Sequence, residues 1–442
     1  MQDWLWAGAA ELGRGIARGD IDPVDLAAVY LDAIHAHPAG PQIYARTTPD
    51  RAMFEAKAAS ERAKKGQRLS ELDGVPVCWK DLFDTSGTAT EAGTALLKGR
   101  VPSKDAHVLQ TATSMGLVCL GKTHMSEIAF SGLGLNPITA TSPNVNDSDA
   151  VPGGSSSGAA ASVAFGLAPL AIGSDTGGSV RIPAAWNDLV GLKTTHGRLS
   201  LKGVVPLCKT FDTVGPLCRN VEDAAASLAA LEGIRAIDLG GVDLEGMRFL
   251  IPETLVLDEV QEGPQKGFDW AVQKLEAAGA IIERRAVPVI EDALAIGGPL
   301  FTADAYSAWR DLVESHPEKM YPPILERVWA GKEVAAHDYL TTWRYLHDLR
   351  AQYLSATRGY DAVIFPTAPI LPPNVKRLME DAEYYVHSNL MALRNTRVGN
   401  LFGLCGLSLP TNVPSSGILF NSAPGTEERL LRIGAAAERA LA

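Results

Sequence analysis

Two serine clusters, separated by an apolar segment, carry the residue types best suited to nucleophilic chemistry in this chain. The first cluster is residues 153–158 (GGSSSG) and the second is residues 174–179 (SDTGGS). A serine hydroxyl can attack an electrophilic carbon, or relay a proton, when a base lies within hydrogen-bond reach. Glycine allows the backbone to approach a ligand closely. Together the two clusters predict an acyl-transfer site.

The first cluster fits several interpretations when it is taken alone. A Gly/Ser run is common in flexible linkers, but apolar residues flank this one on both sides and favour burial. The run lacks the Gly-Lys-Ser/Thr ending of a phosphate-binding loop. Residues 154–158 match G-x-S-x-G, the nucleophile elbow of α/β-hydrolases, with Ser156 at the centre. An esterase of that type is an open alternative, although no downstream histidine has a flanking signature.

Lys80 is a candidate base for the serines. It follows the apolar run Val75–Trp79, which predicts a short buried strand. Lysine is seldom buried without a reason, and the simple alternative is a strand-end lysine whose ammonium group reaches solvent. A lysine can act as a base only when it is neutral, so its pKa must fall well below about 10.4, and desolvation has that effect.

The elements around these residues alternate between helices and short apolar strands, which indicates an α/β sheet protein. In the first half we predict strands at 75–79 and 117–120 and helices over about 5–19, 23–36, 50–67, 105–115 and 221–231. In the second half we predict strands at 248–251, 281–283 and 363–366, a helix over 264–278 and a mostly helical stretch over 302–355. Residues 131–150 are loop-like, and a loop of that length is usually functional.

Composition narrows the functional classes. The chain has 442 residues and a net charge of −11, which disfavours binding to nucleic acid or to anionic membranes. No apolar run is long enough to span a membrane, and the N-terminus does not resemble a signal peptide. Five scattered cysteines without a CxxC pair make a disulfide framework or a zinc site unexpected and favour a reducing compartment, the cytoplasm. We expect neither a metal nor a cofactor.

The serine clusters and Lys80, taken together, resemble the amidase signature family. The likeness is carried by residues 74–84 (GVPVCWKDLFD), by residues 121–137 (GKTHMSEIAFSGLGLNP) and by residues 153–183. It covers about residues 10–235 well, and Asp361 to the end more loosely. The resemblance implies one α/β domain over 1–442, with a large mixed β-sheet core flanked by α-helices. Its signature core would span about 70–235 and its pocket-forming C-terminal part about 236–442.

The resemblance also implies a role for each matching residue. Ser179 would be the nucleophile, Ser155 a bridging serine at a cis peptide, and Lys80 the general base. Ser155 would pass the proton of Ser179 to Lys80 and return it to the leaving amine, and water would then hydrolyse the acyl-Ser179 ester. Backbone N–H groups would form the oxyanion hole, two further residues would brace the site, and two would line the substrate pocket; these are respectively Thr176, Gly177, Gly178 and Ser179; Ser156 and Arg181; and Ser131 and Gly132.

We therefore predict an amide hydrolase that cleaves a carboxylic or aryl amide to a carboxylate and ammonia or an amine. Its partner would be a small-molecule amide, and the resemblance implies a possible homodimer. Residues 184–188 read AAWND where the family often has Ala-Ala-x-Cys-Gly, which bears on the substrate pocket. A glutamine-hydrolysing A subunit of a tRNA-dependent amidotransferase is an alternative, but residues 321–333 lack the F-G-x-E-V-K-R-R-like run of those proteins. A non-catalytic relative would lack one of the catalytic groups.

Overall fold

The computed structural model describes residues 2–442, and the eleven strands of this part of the chain form one mixed sheet. Their order across the sheet is β1-β3-β2-β4-β6-β5-β10-β11-β9-β7-β8. The strands are β1 (Tyr44–Thr47), β2 (Pro76–Lys80), β3 (Val118–Thr123), β4 (Leu170–Asp175), β5 (Val190–Lys193), β6 (Thr213–Cys218), β7 (Arg248–Pro252), β8 (Ile281–Arg285), β9 (Ala362–Pro366), β10 (Cys405–Pro410) and β11 (Gly417–Ser422). The large mixed sheet predicted from the sequence is confirmed.

Fifteen α-helices of the same residues accompany the sheet, together with short 3₁₀ turns. They are α1 (Ala9–Arg18), α2 (Pro23–Ala36), α3 (Gly40–Ile43), α4 (Pro49–Lys64), α5 (His107–Ser114), α6 (Ser157–Ala164), α7 (Arg181–Trp186), α8 (Val221–Glu232), α9 (Glu262–Ala277), α10 (Val289–Ser315), α11 (Pro322–Trp329), α12 (Ala336–Ala356), α13 (Val375–Glu380), α14 (Ala382–Leu401) and α15 (Glu427–Leu441). No helix within residues 2–442 combines the length and the apolar character that crossing a membrane requires.

The centre of the sheet places the two candidate motifs side by side. Strand β2 runs parallel to both β3 and β4, with Trp79 opposite Ile172. Because the carboxyl ends of parallel strands meet at one edge of a sheet, Lys80 at the end of β2 lies beside Ser174 and Asp175 at the end of β4. Every residue of these strands is buried. The edge that carries the candidate chemistry is therefore enclosed by protein.

Capping chemistry explains several of the helix boundaries. The Asp22 side chain accepts a hydrogen bond from the Val24 N–H, and Pro23 occupies the first helical position of α2. The Asn220 side chain accepts from the Asp223 N–H and begins α8. Both helix starts agree with the sequence pattern. The predicted helix over 5–19 is wrong at its start, because the chain forms a 3₁₀ turn at Gln2–Leu5 and then restarts as α1 after Gly8.

The sequence analysis missed four strands, β5, β6, β10 and β11. They are short, and β6 contains Gly215 and Pro216, which normally argue against a strand interior. Strands β10 and β11 lie between β5 and β9, so residues near the C-terminus complete the middle of the sheet. Residues 131–150 contain no helix or strand, in agreement with the predicted loop.

Candidate active site

Lys80 is fully buried at the end of β2 and is hydrogen-bonded to two serine hydroxyls. Its Nζ lies 2.7 Å from Ser155 Oγ and 2.8 Å from Ser174 Oγ. Burial lowers the pKa of Lys80 to about 7, although the charges of Asp175 and Asp212 act in the opposite direction. A large fraction of the lysine is therefore neutral near pH 7. The alternative of a strand-end lysine that reaches solvent is wrong.

The first serine cluster connects the two strand ends. The Gly154–Ser155 peptide bond is cis, as the resemblance implied. Ser156 donates its backbone N–H to the Ser179 carbonyl at 3.2 Å and its hydroxyl to the Ser174 carbonyl at 3.2 Å. Both groups of Ser156 are thus used to hold the second cluster in place. This arrangement argues against Ser156 as the nucleophile of an esterase.

Asp175 organises the second cluster through a fully buried ion pair with Arg181. The guanidinium donates from Nε at 2.9 Å and from Nη2 at 2.9 Å, and Asn400 Nδ2 donates to the same carboxylate at 2.9 Å. Burial alone would raise the pKa of Asp175, but the Arg181 charge and these hydrogen bonds hold it well below its usual range. The bracing role that the resemblance gave to Arg181 is thus exerted through Asp175.

The backbone of residues 176–179 supplies free N–H groups. Within residues 2–442, the N–H groups of Thr176, Gly177 and Ser179 have no hydrogen-bond acceptor, and all three residues line the same cavity. The N–H of Gly178 points elsewhere and is donated to Asp175 Oδ1 at 2.9 Å. Gly178 was expected in the oxyanion hole, and the structure corrects this expectation because its donor is already used.

Gly178 has a different function, which is to allow a close approach between two segments. Its φ is +141°, and an added Cβ would lie 2.1 Å from Thr396 Oγ1. The Thr396 hydroxyl donates to the Gly177 carbonyl at 2.7 Å. On the other side of the loop, Asp212 accepts from Thr176 Oγ1 at 2.5 Å. The loop that presents Ser179 is therefore held from both sides, and only glycine fits at position 178.

A cavity next to Ser179 is formed by both halves of the chain. Its lining residues are Ala129, Phe130, Ser131, Thr176, Gly177, Ser179, Leu207, Phe301, Arg327, Leu393 and Arg397. Ser131 lies in the cavity as expected. Gly132 does not line it, because its N–H is donated to Asn389 Oδ1 at 2.8 Å and its carbonyl accepts from the Gly154 N–H at 2.8 Å. Gly132 therefore supports the first cluster and is not a pocket residue.

The sequence analysis missed the residues that the C-terminal helices bring to this cavity. Phe301 lies on α10, Arg327 on α11, and Leu393 and Arg397 on α14. It also missed Ser174, whose position in the second cluster, at the end of a strand parallel to β2, was an available signal. No group of three or more His, Cys, Asp or Glu side chains in residues 2–442 is placed to hold a metal ion.

Chemically, the site combines a buried amine that is partly neutral near pH 7, a hydroxyl bonded to it, a second hydroxyl at a cavity, and unpaired N–H groups beside that hydroxyl. An amine in this form can accept a proton that a hydroxyl releases. Unpaired N–H groups can stabilise negative charge that develops on a carbonyl oxygen. These are the components of serine-based acyl transfer.

Comparison with known proteins places this geometry in a family context. A family model described as Amidase matches residues 25–431. The chain is 35% identical over 410 residues to 2-amino-5-chloromuconic acid deaminase of Comamonas testosteroni, covering 89% of this chain and 87% of that protein. It is 30% identical over 483 residues to the A subunit of glutamyl-tRNA(Gln) amidotransferase from Thermobifida fusca (strain YX), covering 100% and 97%. A solved amidase crystal structure superposes with a TM-score of 0.89 at 29% identity, covering 99% of this chain and 100% of the other.

Proposed function

The chain belongs to the amidase signature family and is an amide-cleaving hydrolase, and we propose that Ser179, Ser155 and Lys80 carry out its reaction. The observation that carries this assignment is the 2.7 Å hydrogen bond between Lys80 Nζ and Ser155 Oγ at a fully buried position. Ser179 supplies the attacking oxygen, and Ser155 transfers the proton between Ser179 and the lysine.

The first half-reaction forms an acyl-enzyme. Neutral Lys80 accepts the proton of Ser155 while Ser155 accepts the proton of Ser179, and the Ser179 oxygen bonds to the amide carbon. The carbonyl oxygen becomes an oxyanion that accepts hydrogen bonds from the free N–H groups of Thr176, Gly177 and Ser179. Collapse of the intermediate breaks the C–N bond, and the proton held by Lys80 returns through Ser155 to the leaving nitrogen. Ammonia or an amine departs.

The second half-reaction regenerates the serine. Water attacks the acyl-Ser179 ester, and its proton passes to Lys80 by the same route. The ester bond then breaks, Ser179 recovers its proton and the carboxylate product leaves. Removing one oxyanion donor from a site of this kind typically costs about 10²–10³ in rate. The three N–H groups therefore account for a large share of the rate that we assign to this site.

Substitution of the three side chains tests this assignment. Ser179→Ala should abolish product release from a panel of carboxylic and aryl amides and should leave the circular dichroism spectrum unchanged. A fluorophosphonate probe should label Ser179 in the wild type, as located by peptide mass spectrometry. Ser157→Ala in the first cluster is a matched control, because its hydroxyl makes one long bond, 3.4 Å, to the His124 carbonyl. Labelling at Ser156, or activity that survives in Ser179→Ala, would overturn the assignment.

We propose a stand-alone amidase in preference to the glutamine-hydrolysing component of an amidotransferase, although relatives with that name align over the whole chain. The residues that line the cavity include no Asp or Glu, so the ammonium group of free glutamine would find no carboxylate there. Glutamine turnover, measured as glutamate release, should therefore be slow in comparison with turnover of the preferred amide. Fast glutamine hydrolysis, together with co-purification of a second protein chain, would favour the amidotransferase alternative.

We also propose that the enzyme works in the cytoplasm as a homodimer on a small-molecule amide. All five cysteines are buried and unpaired, which fits a reducing compartment, since oxidising compartments favour disulfides. The homodimer is the assembly that the family resemblance implies. Sedimentation should give a particle of two chains, and cell fractionation should recover the activity with cytoplasmic markers. A monomer in sedimentation would contradict the assembly.

A further inference from the structure

We infer that the substrate of this enzyme is an amide that carries a carboxylate, and that Arg397 binds this carboxylate in the cavity beside Ser179. The inference rests on the proposed function of that cavity as the amide site. It adds the chemical class of the substrate, namely an amide separated from a carboxylate by a short hydrocarbon or aryl group. It also assigns substrate recognition to a helix, α14, that the sequence motifs do not reach.

The position of Arg397 puts its side chain next to the reacting group. Arg397 and Ser179 line the same cavity. An added Cβ on Gly177 would lie 3.7 Å from Arg397 Cγ and 4.0 Å from Arg397 Nε. The side chain therefore runs along the loop whose free N–H groups face the cavity. A carboxylate held by this guanidinium lies in the same cavity as a carbonyl placed for attack by Ser179.

Arg397 is a cation without an anionic partner. In the part of the chain that the structure describes, no carboxylate or carbonyl accepts a hydrogen bond from it, and its nearest aromatic contact is the Phe301 ring at 5.7 Å. Other buried or half-buried arginines are paired, as Arg181 is with Asp175 and Arg198 is with Glu232. An unpaired charge away from water is costly. A substrate carboxylate would supply the missing partner.

A second arginine increases the positive charge of the cavity. Arg327 lines the same cavity, donates from Nη1 to the Phe130 carbonyl at 2.6 Å and lies over the Phe130 ring. Burial, together with the Arg327 charge, lowers the pKa of Arg397 to about 9. A bound anion would relieve both effects. Arginine suits this function because its planar guanidinium can donate two parallel hydrogen bonds to a carboxylate.

The remaining lining residues limit what connects the two ends of the substrate. Phe130, Leu207, Phe301 and Leu393 provide apolar surface, which favours a hydrocarbon or aromatic group between carboxylate and amide. The lining includes no acidic side chain, so a free ammonium group on the substrate would be left unpaired. The site therefore fits an amido acid with net negative charge better than a zwitterionic amino acid.

Matched amide pairs test the inference. Succinamate is compared with butyramide, and 4-carbamoylbenzoate with 4-methylbenzamide, in the wild type and in Arg397→Met. We expect the wild type to favour the carboxylate member of at least one pair by tenfold or more in kcat/KM. Arg397→Met should raise KM for that member at least tenfold, leave its neutral counterpart within about twofold, and keep the fold. Arg397→Lys should retain part of the preference, because it keeps the charge but not the fork of donors.

Arg394→Met is the matched control. It removes a positive charge from the same helix, and Arg394 does not line the cavity; the carboxylate preference should remain as in the wild type. A second readout does not depend on turnover. Succinate or terephthalate binding to Ser179→Ala, measured by calorimetry, should weaken at least tenfold when Arg397→Met is added. Equal rates on both members of each pair, or binding that is absent or independent of Arg397, would overturn the inference. Neither result would affect the catalytic assignment, which depends on the Ser179→Ala variant.

Discussion

Ser174 Oγ lies 2.8 Å from Lys80 Nζ and is the second hydroxyl group bonded to that nitrogen. A neutral amine has two N–H donors and one lone pair. If Ser174 accepts an N–H, the lone pair is free to face Ser155. Ser174 is therefore a positioning residue, because it orients the base without contacting the substrate.

Ser174→Ala tests this positioning function. We expect kcat to fall by about 10-fold to 100-fold, since the lysine loses one of its two orienting contacts, while KM stays within about twofold. Ser155→Ala should have a larger effect on kcat because it interrupts the proton relay itself. Steady-state kinetics on one amide compares the two variants. Equal losses in both, or a change confined to KM, would contradict the distinction.

The pH dependence of the reaction should follow the ionisation of Lys80. Burial lowers its pKa to about 7, and only the neutral amine accepts a proton. We therefore expect kcat/KM to rise with pH, to be half-maximal near pH 7 and to reach a plateau above about pH 8. A pH series from 5.5 to 9 with a neutral amide gives the midpoint. A rate that is flat across this range would contradict the lysine as base.

The same pKa difference makes the stability of the wild type depend on pH. An unfolded lysine keeps its proton up to about pH 10.4, whereas folded Lys80 releases it near pH 7. Between these values the unfolded state binds more protons, so stability should rise with pH, by at most about 1.4 kcal/mol per pH unit. Urea unfolding of Lys80→Met at pH 7, 8 and 9 should lack this contribution. Its advantage over the wild type should thus shrink as pH rises, whereas Lys202→Met, at an exposed lysine, should show no such trend.

The Asp175–Arg181 ion pair should be sensitive to the loss of one partner. Both side chains are fully buried, so Arg181→Met leaves an uncompensated carboxylate, and we expect a loss of about 3–5 kcal/mol in unfolding free energy. Arg14–Glu222 is a useful comparison, because its side chains are 54% and 53% exposed. Arg14→Met should cost at most about 1 kcal/mol. Chemical denaturation measures both, and similar values would contradict the structural contrast.

Two adjacent glycines should differ in their tolerance of a methyl group. Gly178→Ala would place a Cβ 2.1 Å from Thr396 Oγ1 at a φ of +141°, and we expect it to destabilise the protein and remove activity. In Gly177→Ala the nearest atom, Leu393 Cδ2, would lie 3.5 Å away, which is an ordinary contact. Thermal unfolding of the two variants should show a lower midpoint for Gly178→Ala only. A tolerated alanine at position 178 would show that the loop can move away from α14.

The sequence identified Lys80, Ser155 and Ser179 because each lies in a short motif whose residues are close along the chain. The cavity residues Arg327 and Arg397 could not be found in this way. Thr396 joins the Gly177 carbonyl across 219 positions, and no local spacing links α14 to that loop. The roles of neighbouring glycines were equally hidden, since the directions of the Gly177 and Gly178 N–H groups depend on the folded position of Asp175.

Strand order was also only partly accessible from the sequence. Hydrophobic runs predicted β2, β3, β7, β8 and β9, whose apolar residues are continuous. Strands β5, β6, β10 and β11 are short or interrupted by glycine and proline, so their patterns resemble those of loops. Pairing between β5 and β10 joins residues more than 200 positions apart. Only the folded sheet specifies such a pairing.

The placement of β10 and β11 has a consequence for synthesis on the ribosome. Strands β1–β6 and β7–β9 are both made before residues 405–422 emerge, and within the sheet they meet only through β10 and β11. Until then β5 and β9 are unfinished edges that can pair with other chains. The Asp175–Arg181 pair also waits for Asn400 and the Thr396 carbonyl. The nascent chain therefore gains its active site and loses its open edges at nearly the same time, so an interrupted translation product would be both inactive and prone to aggregate.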